Sequence, residues 1–181
     1  PFWLKPHRMT PEEPPAANQR QPAPPPPMSH HIRAYAGQSD NAAIVDIYLA
    51  ASTIATPFLG AEFLEREQSN IVDVYLPHTQ TWVWEAEDGN IRGFVGIIKG
   101  GEGEADEVGG LFVDPAAQRH GIGRALLDHV RQVGTKDLEV EVFEGNAIGR
   151  AFYARYGFRE QLKSFTHEPT GHTVLRLRTR P

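Results

Sequence analysis

Leu111-Phe112-Val113-Asp114-Pro115-Ala116-Ala117-Gln118-Arg119-His120-Gly121-Ile122-Gly123-Arg124-Ala125-Leu126-Leu127 reads as a strand, a turn, a short loop with two glycines, and then an amphipathic helix. The first N–H groups of a helix lack intrahelical partners, and the aligned peptide dipoles add roughly half a positive charge at that end. Gly121 and Gly123 let the backbone come close to a ligand, and Arg119, His120 and Arg124 add local positive charge. The stretch therefore suits a phosphate or pyrophosphate. Two familiar phosphate loops do not fit. A Walker loop needs Gly-Lys-Ser/Thr, but Gly123 is followed by Arg124-Ala125, and a dinucleotide fingerprint needs a third glycine where Leu126 stands.

Working outward, Ile122, Ala125, Leu126, His129, Val130 and Val133 repeat at helical spacing and predict a helix over 121–133. Upstream, Glu107–Val113 is a strand that Asp114-Pro115 ends, and Gly109-Gly110 within it suits a bulge or merely eases packing. Thr81–Glu85 and Ile91–Ile98 are strand-like and joined by a hairpin carrying Asp88-Gly89. Earlier still, Ile32–Tyr35 is a short strand, and Ile44, Ile47, Tyr48 and Ala51 mark a helix that Ser39 or Asp40 would cap. A second helix over 60–76 would carry Leu64, Ile71, Val74 and Tyr75 on one face until Pro77 stops it. Downstream lie a strand, Leu138–Phe143, a helix, Asn146–Tyr156, closed by Gly157, and an antiparallel pair, Phe158–Phe165 with His172–Arg178. The order β-α-α-β-β-β-α-β-α-β-β mixes hairpins with helical crossovers. It predicts an α/β (α+β) fold with a mixed central sheet flanked by helices.

Residues 1–27 hold 10 of the 15 prolines and none of the 17 glycines, so they read as an extended or disordered tail, with 28–181 as one domain. Cysteine is absent, which excludes a disulfide framework, a cysteine zinc site and an acyl-cysteine intermediate. No His-Glu-x-x-His or other metal-ligand spacing occurs, so no metal is expected. A net charge of −5 argues against a general nucleic-acid binder. No run reaches the roughly 18 apolar residues of a membrane span. The proline-rich start does not resemble a secretory signal, so a cytoplasmic location, as monomer or homodimer, is the expectation.

Gln118-Arg119-His120-Gly121-Ile122-Gly123 resembles the Gln/Arg-x-x-Gly-x-Gly/Ala motif of the GNAT superfamily of acyl-coenzyme A-dependent N-acetyltransferases. Asn146-Ala147-Ile148-Gly149-Arg150-Ala151-Phe152-Tyr153-Ala154-Arg155-Tyr156-Gly157-Phe158 resembles that family's second cofactor segment, and both occur in the family's order with one strand between. The region 59–77 is similar to that of small bacterial members. The resemblance implies a splayed sheet and acetyl-CoA as acyl donor. It places the pyrophosphate on the loop from Gln118 through Arg119, His120, Gly121, Ile122 and Gly123 to Arg124, and the pantetheine along Leu111, Phe112 and Val113.

Transfer to an amine needs a neutral nitrogen, and a lysine-like amine is only about 0.04% neutral at pH 7. A base is therefore useful. Glu107 is the candidate: alternation puts Glu107, Gly109, Leu111 and Val113 on one face, and the resemblance implies a glutamate there. A merely solvated acid in a turn with Glu102, Glu104 and Asp106 is the competing reading. Tyr153 matches the family's tyrosine beside the cofactor sulfur, which implies a proton donor to the departing thiolate. Asn146 is placed equally as a pantetheine contact and as a helix N-cap. Between Glu85 and Asp114, eight acids face Arg92 and Lys99, which would attract a cationic acceptor, either a small-molecule amine or a peptide amine. The expectation is an acetyl-CoA-dependent N-acetyltransferase acting by direct attack. A catalytically silent acyl-CoA-binding sensor or interaction module is the alternative.

Overall fold

The computed structural model describes residues 30–134 and 137–179, and the proline-rich tail lies outside them. The chain forms β1 (His30–Ala34), α1 (Gln38–Ala55), α2 (Ala61–Asn70), a π-helical turn (Ile71–Tyr75), α3 (Leu76–His78), β2 (Gln80–Ala86), β3 (Ile91–Ile98), β4 (Asp106–Val113), α4 (Ile122–Val133), β5 (Leu138–Phe143), α5 (Ala147–Tyr156), β6 (Phe158–His167) and β7 (His172–Thr179). With α2, the π turn and α3 counted as one interrupted helix, this is the order expected from the sequence. The seven strands lie in the order β1-β2-β3-β4-β5-β7-β6. Every neighbouring pair is antiparallel except β4 with β5.

Helices cover both faces of the sheet. Ile122, Leu126, Leu127 and Val130 of α4 pack with Val95, Val108, Val140, Val142 and Phe158 to form one core. Ile44, Ile47 and Tyr48 of α1 pack with Ile71, Leu76, Val83 and Phe94 on the other face. Both helical stripes are dictated by apolar residues three and four apart. Each fully buried Leu, Ile or Phe contributes about 1.5–3 kcal/mol against leaving it exposed. Val133, expected on the α4 stripe, is 50% exposed, because the helix outruns the sheet there.

Three local features differ from the sequence reading. The N-cap of α1 is Gly37, while Asp40 is buried, accepts from the Ala36 N–H at 2.8 Å and pairs with Arg33 at 2.7 Å. In the second helical stretch, the Leu76 N–H bonds the Ile71 carbonyl five residues back. That wider turn puts Ile71 and Leu76, both buried, on the inward face and turns Val74 out to 53% exposure. The third feature is a bulge in β4. Gly96 pairs with Gly110 but Ile97 pairs with Val108, so Gly109 is an extra residue. Alternation inverts across it. Val108, Leu111 and Val113 share the α4 side, and Glu107 falls on the opposite face from Leu111 and Val113 rather than beside them.

Candidate functional site

The bulge coincides with the point where the sheet opens. β4 pairs with β5 only over Asp106–Val108 against Leu138–Val140, while β4 runs on to Val113 and β5 to Phe143. The phase of the remaining ladder follows from one bond, the Asp114 N–H to the Arg92 carbonyl at 2.8 Å. Antiparallel pairs alternate, so Phe94 with Phe112 and Gly96 with Gly110 exchange hydrogen bonds. The N–H and C=O groups of Leu111 and Val113 therefore point away from β3 into the gap. Gln118 closes one of these positions, its side-chain amide donating to the Val113 carbonyl at 3.1 Å.

Over the gap lies a cavity of about 460 Å³. Its lining brings together Leu111, Phe112, Val113, Gln118, Arg119, Gly121, Ile122, Gly123, Arg124, Asn146 and Tyr153, all singled out in the sequence. Glu107 and His120 are not part of it. The His120 ring turns back on its own loop, with Nδ1 2.9 Å from the Gln118 carbonyl. Residues the sequence reading missed are Ser52 and Thr56 at the end of α1, and Phe152, Arg155 and Tyr156 on α5. The α1 contribution comes from more than fifty residues upstream and carries no local signal. The α5 residues stand in the quoted motif, where helical spacing from Tyr153 could have marked Tyr156.

The loop is built for an anion. Gly121 caps α4 in the left-handed region (φ 86°), and Arg119 also has positive φ (69°). The first bond of the α4 ladder runs from the Ala125 N–H to the Gly121 carbonyl, so the amides of Ile122, Gly123 and Arg124 precede it. The Gln118 N–H differs from expectation: it is taken by the Pro115 carbonyl at 3.4 Å. A methyl at Gly123 would stand 3.1 Å from the Phe152 ring and 3.3 Å from Leu111, so this glycine lets helix, strand and α5 meet. Arg119, Arg124 and Arg155 on the cavity wall are the cations available to phosphates.

Tyr153 is buried, with its ring edge-on to Phe152 and Phe158 at 5.3 and 5.2 Å. Burial pushes its phenol well above the ordinary tyrosine value, so it keeps its proton. Among the described residues its hydroxyl has no hydrogen-bond partner, which leaves it available to a group in the cavity. The Asn146 side chain is the N-cap of α5, accepting from the Gly149 N–H at 2.7 Å. Its amide still borders the cavity.

Glu107 lies on the α1 face in a ladder of charges. Arg176 contacts Glu107 at 2.9 Å, Glu139 at 2.5 Å and Glu141 at 2.9 Å, and Arg178 also pairs with Glu139. Burial raises the Glu107 pKa above the ordinary carboxylate value, with the Arg176 guanidinium opposing. The acidic stretch Glu85–Asp114 is not one patch. Its Asp88-Gly89 turn and its Gly100–Asp106 turn lie at opposite ends of β3, and Glu85, Asp88, Asp106 and Asp114 are paired with Arg33, Arg92, Lys99 and Arg92. Among the described residues, no three His, Cys, Asp or Glu side chains gather as a metal site, and no helix is long and apolar enough to cross a membrane.

Comparison with known proteins follows this geometry. Residues 77–160 match the family described as the acetyltransferase (GNAT) domain. The chain is 37% identical over 123 residues to the peptidyl-lysine N-acetyltransferase YiaC of Escherichia coli, covering 68% of this chain and 80% of that protein. It is 29% identical over 116 residues to the E. coli peptidyl-lysine N-acetyltransferase YjaB, covering 64% and 74%. Among solved structures, apo-form YjaB superposes with a TM-score of 0.70 at 24% identity, covering 84% of this chain and 98% of that one. The PaiA N-acetyltransferase of Thermoplasma acidophilum, in complex with coenzyme A, gives 0.66 at 17% identity, covering 82% and 98%. The last two likenesses concern the fold.

Proposed function

The chain belongs to the GNAT family of acetyltransferases, and from that membership we propose that residues 28–181 move the acetyl group of acetyl-CoA to the primary amine of a peptidyl lysine by direct attack. The acceptor class rests on the printed activity of the relatives YiaC and YjaB. The observation that carries the rest is a single cavity. It joins an N-terminal helix loop, strand amides facing a gap, and a buried phenol without a partner.

In this reading the amides of Ile122, Gly123 and Arg124 take the pyrophosphate, with Arg119 and Arg155 beside it, and the pantetheine pairs with Leu111 and Val113 as an added strand would. The Leu111 N–H accepts the thioester oxygen and stabilises the negative charge that develops on it. The amine nitrogen attacks the carbonyl carbon, the C–S bond breaks, and the thiolate departs against Tyr153. A phenol raised by burial is a weaker acid than a thiol of pKa about 8.5, so Tyr153 acts by donating a hydrogen bond to the thiolate rather than by giving up its proton outright. Glu107 takes the proton released by the amine through water. Its raised pKa suits that task, and the Arg176 contact holds the carboxylate in place.

The test is an acceptor panel with acetyl-CoA: a lysine-containing peptide, its α-amine-only counterpart, a polyamine and an aminoglycoside, with mass detection. A gain of one acetyl group on the lysine peptide supports the reading. No acetylation of any amine, together with no rise in melting temperature in millimolar acetyl-CoA, overturns it.

A further inference from the structure

Three glycines in the middle of the sheet are explained by a side chain that none of the motifs contains. Gly96 of β3 and Gly110 of β4 are paired across the ladder, with the bulge residue Gly109 next to them. A methyl on Gly96 would stand 2.2 Å from the Tyr75 hydroxyl and 2.6 Å from the carbon bearing it. A methyl on Gly110 would stand 3.0 Å from the same oxygen, and one on Gly109 3.4 Å from the ring. The phenol of Tyr75 thus lies flat against the sheet, and only glycines leave it room.

Tyr75 arrives there from the last residue of the π turn. The extra residue in that turn directs Ile71 and Leu76 inward and carries Tyr75 between them to the sheet. Its hydroxyl donates to the Gly110 carbonyl at 3.3 Å. That carbonyl belongs to the peptide unit whose N–H is Leu111. In a trans peptide the C=O and N–H point in opposite directions, so a bond that holds the carbonyl on the β3 side keeps the Leu111 N–H aimed into the gap. A donor on the carbonyl also polarises the peptide and strengthens its N–H as a donor. The need for such a restraint is local: Gly109 and Gly110 are the least restrained backbone in the strand, and β5 no longer pairs with β4 beyond Val108.

We propose that Tyr75 is a positioning residue for acetyl transfer, its phenol fixing the Gly110–Leu111 peptide so that the Leu111 N–H meets the thioester oxygen. The inference rests on the functional reading above, in which that N–H stabilises the oxyanion. It assigns a catalytic purpose to the π turn and to the Gly96–Gly110 pair. Burial of the phenol, which raises its pKa, keeps it a donor at working pH.

The experiment compares the full chain with Tyr75→Phe and Gly96→Ala. Tyr75→Phe keeps the ring and loses the hydroxyl. Expected are a kcat about tenfold lower, a fraction of the roughly 10²–10³-fold that outright loss of an oxyanion donor costs, and a KM for acetyl-CoA within about twofold of the parent. Gly96→Ala displaces the phenol from the other side and reproduces the loss of kcat. Isotope-edited infrared of bound acetyl-CoA labelled at the carbonyl carbon supplies a readout that packing alone would not move. The parent shifts the carbonyl band to lower frequency than in water, and Tyr75→Phe gives back part of that shift. An unchanged kcat and band in a folded Tyr75→Phe overturns the inference. If Tyr75→Phe melts early, the Gly96→Ala band decides in the same way. A parent that binds no acetyl-CoA or acetylates nothing overturns the functional reading first, whereas an active parent with an indifferent Tyr75→Phe overturns this inference alone.

Discussion

Replacing Tyr153 by phenylalanine removes one oxygen and leaves the packing in place. The edge contacts to Phe152 and Phe158 belong to the ring, so the fold should be indifferent, with a melting temperature within about 2 °C of the parent, the shift expected for well under 1 kcal/mol in a domain of this size. What is lost is a donor to sulfur as the C–S bond breaks. A hydrogen bond to a charged group is worth about 1.5–3 kcal/mol, which converts to a fall in kcat of roughly 10- to 150-fold. Because burial holds the phenol protonated, the same factor should appear at pH 7 and at pH 9. The assay is steady-state release of coenzyme A thiol with the best acceptor, varying acetyl-CoA to separate kcat from KM. A kcat within threefold of the parent would remove Tyr153 from the departing thiolate. A raised KM with unchanged kcat would make it a binding contact.

Glu107→Gln tests the base. In the parent the rate should fall as pH drops through a carboxylate pKa lifted by burial, since the base works only when ionised; in the variant that acidic limb flattens and the plateau is lower. A profile superimposable on the parent's would assign Glu107 to its ion pair with Arg176 alone. Asn146→Ala deletes the cap on Gly149 and should cost about 1 kcal/mol, or roughly 2–4 °C in melting temperature, while Asn146→Ser restores most of it. An unchanged melting point with a large rise in acetyl-CoA KM would favour a pantetheine contact instead. His129 has a buried Nε2 without a partner and a ring edge-on to Trp82 at 4.5 Å, and burial depresses its pKa. The unfolded chain therefore binds its proton more readily, so stability contributed by the neutral ring is present above the ordinary histidine pKa and is lost as pH falls below it. His129→Phe should show a smaller drop in urea midpoint than the parent between pH 7 and pH 5, and equal drops would exclude the effect.

Much of the fold was legible because its helices bury simple stripes. Ile44, Ile47, Tyr48 and Ala51 announced α1, and all four are buried. Ile122 to Val130 did the same for α4. The anion loop was legible because Gly121 and Gly123 have no other reason to flank one residue at a strand-to-helix turn. What escaped is where one residue shifts the count. The sequence suggested a bulge at Gly109-Gly110, but alternation was carried through it, and this put Glu107 on the wrong face. The π turn did the same to Val74 and hid Tyr75, whose importance depends on glycines 21 and 35 residues away. Ser52 and Thr56 reach the cavity through packing of α1 across the sheet, a relation no local pattern records.

The brevity of the β4–β5 pairing has a mechanical meaning. Three residues on each strand join the β1–β4 half of the sheet to the β5–β7 half, and beyond them the two halves share no ladder. A sheet sewn by so short a seam parts there first under load or denaturant, with α4 and its apolar stripe left to span the break. A cofactor lying along Leu111 and Val113 lengthens the seam. Occupancy should then be felt as slower amide exchange in β5 and β7, strands that the ligand itself need not touch, as well as in β4.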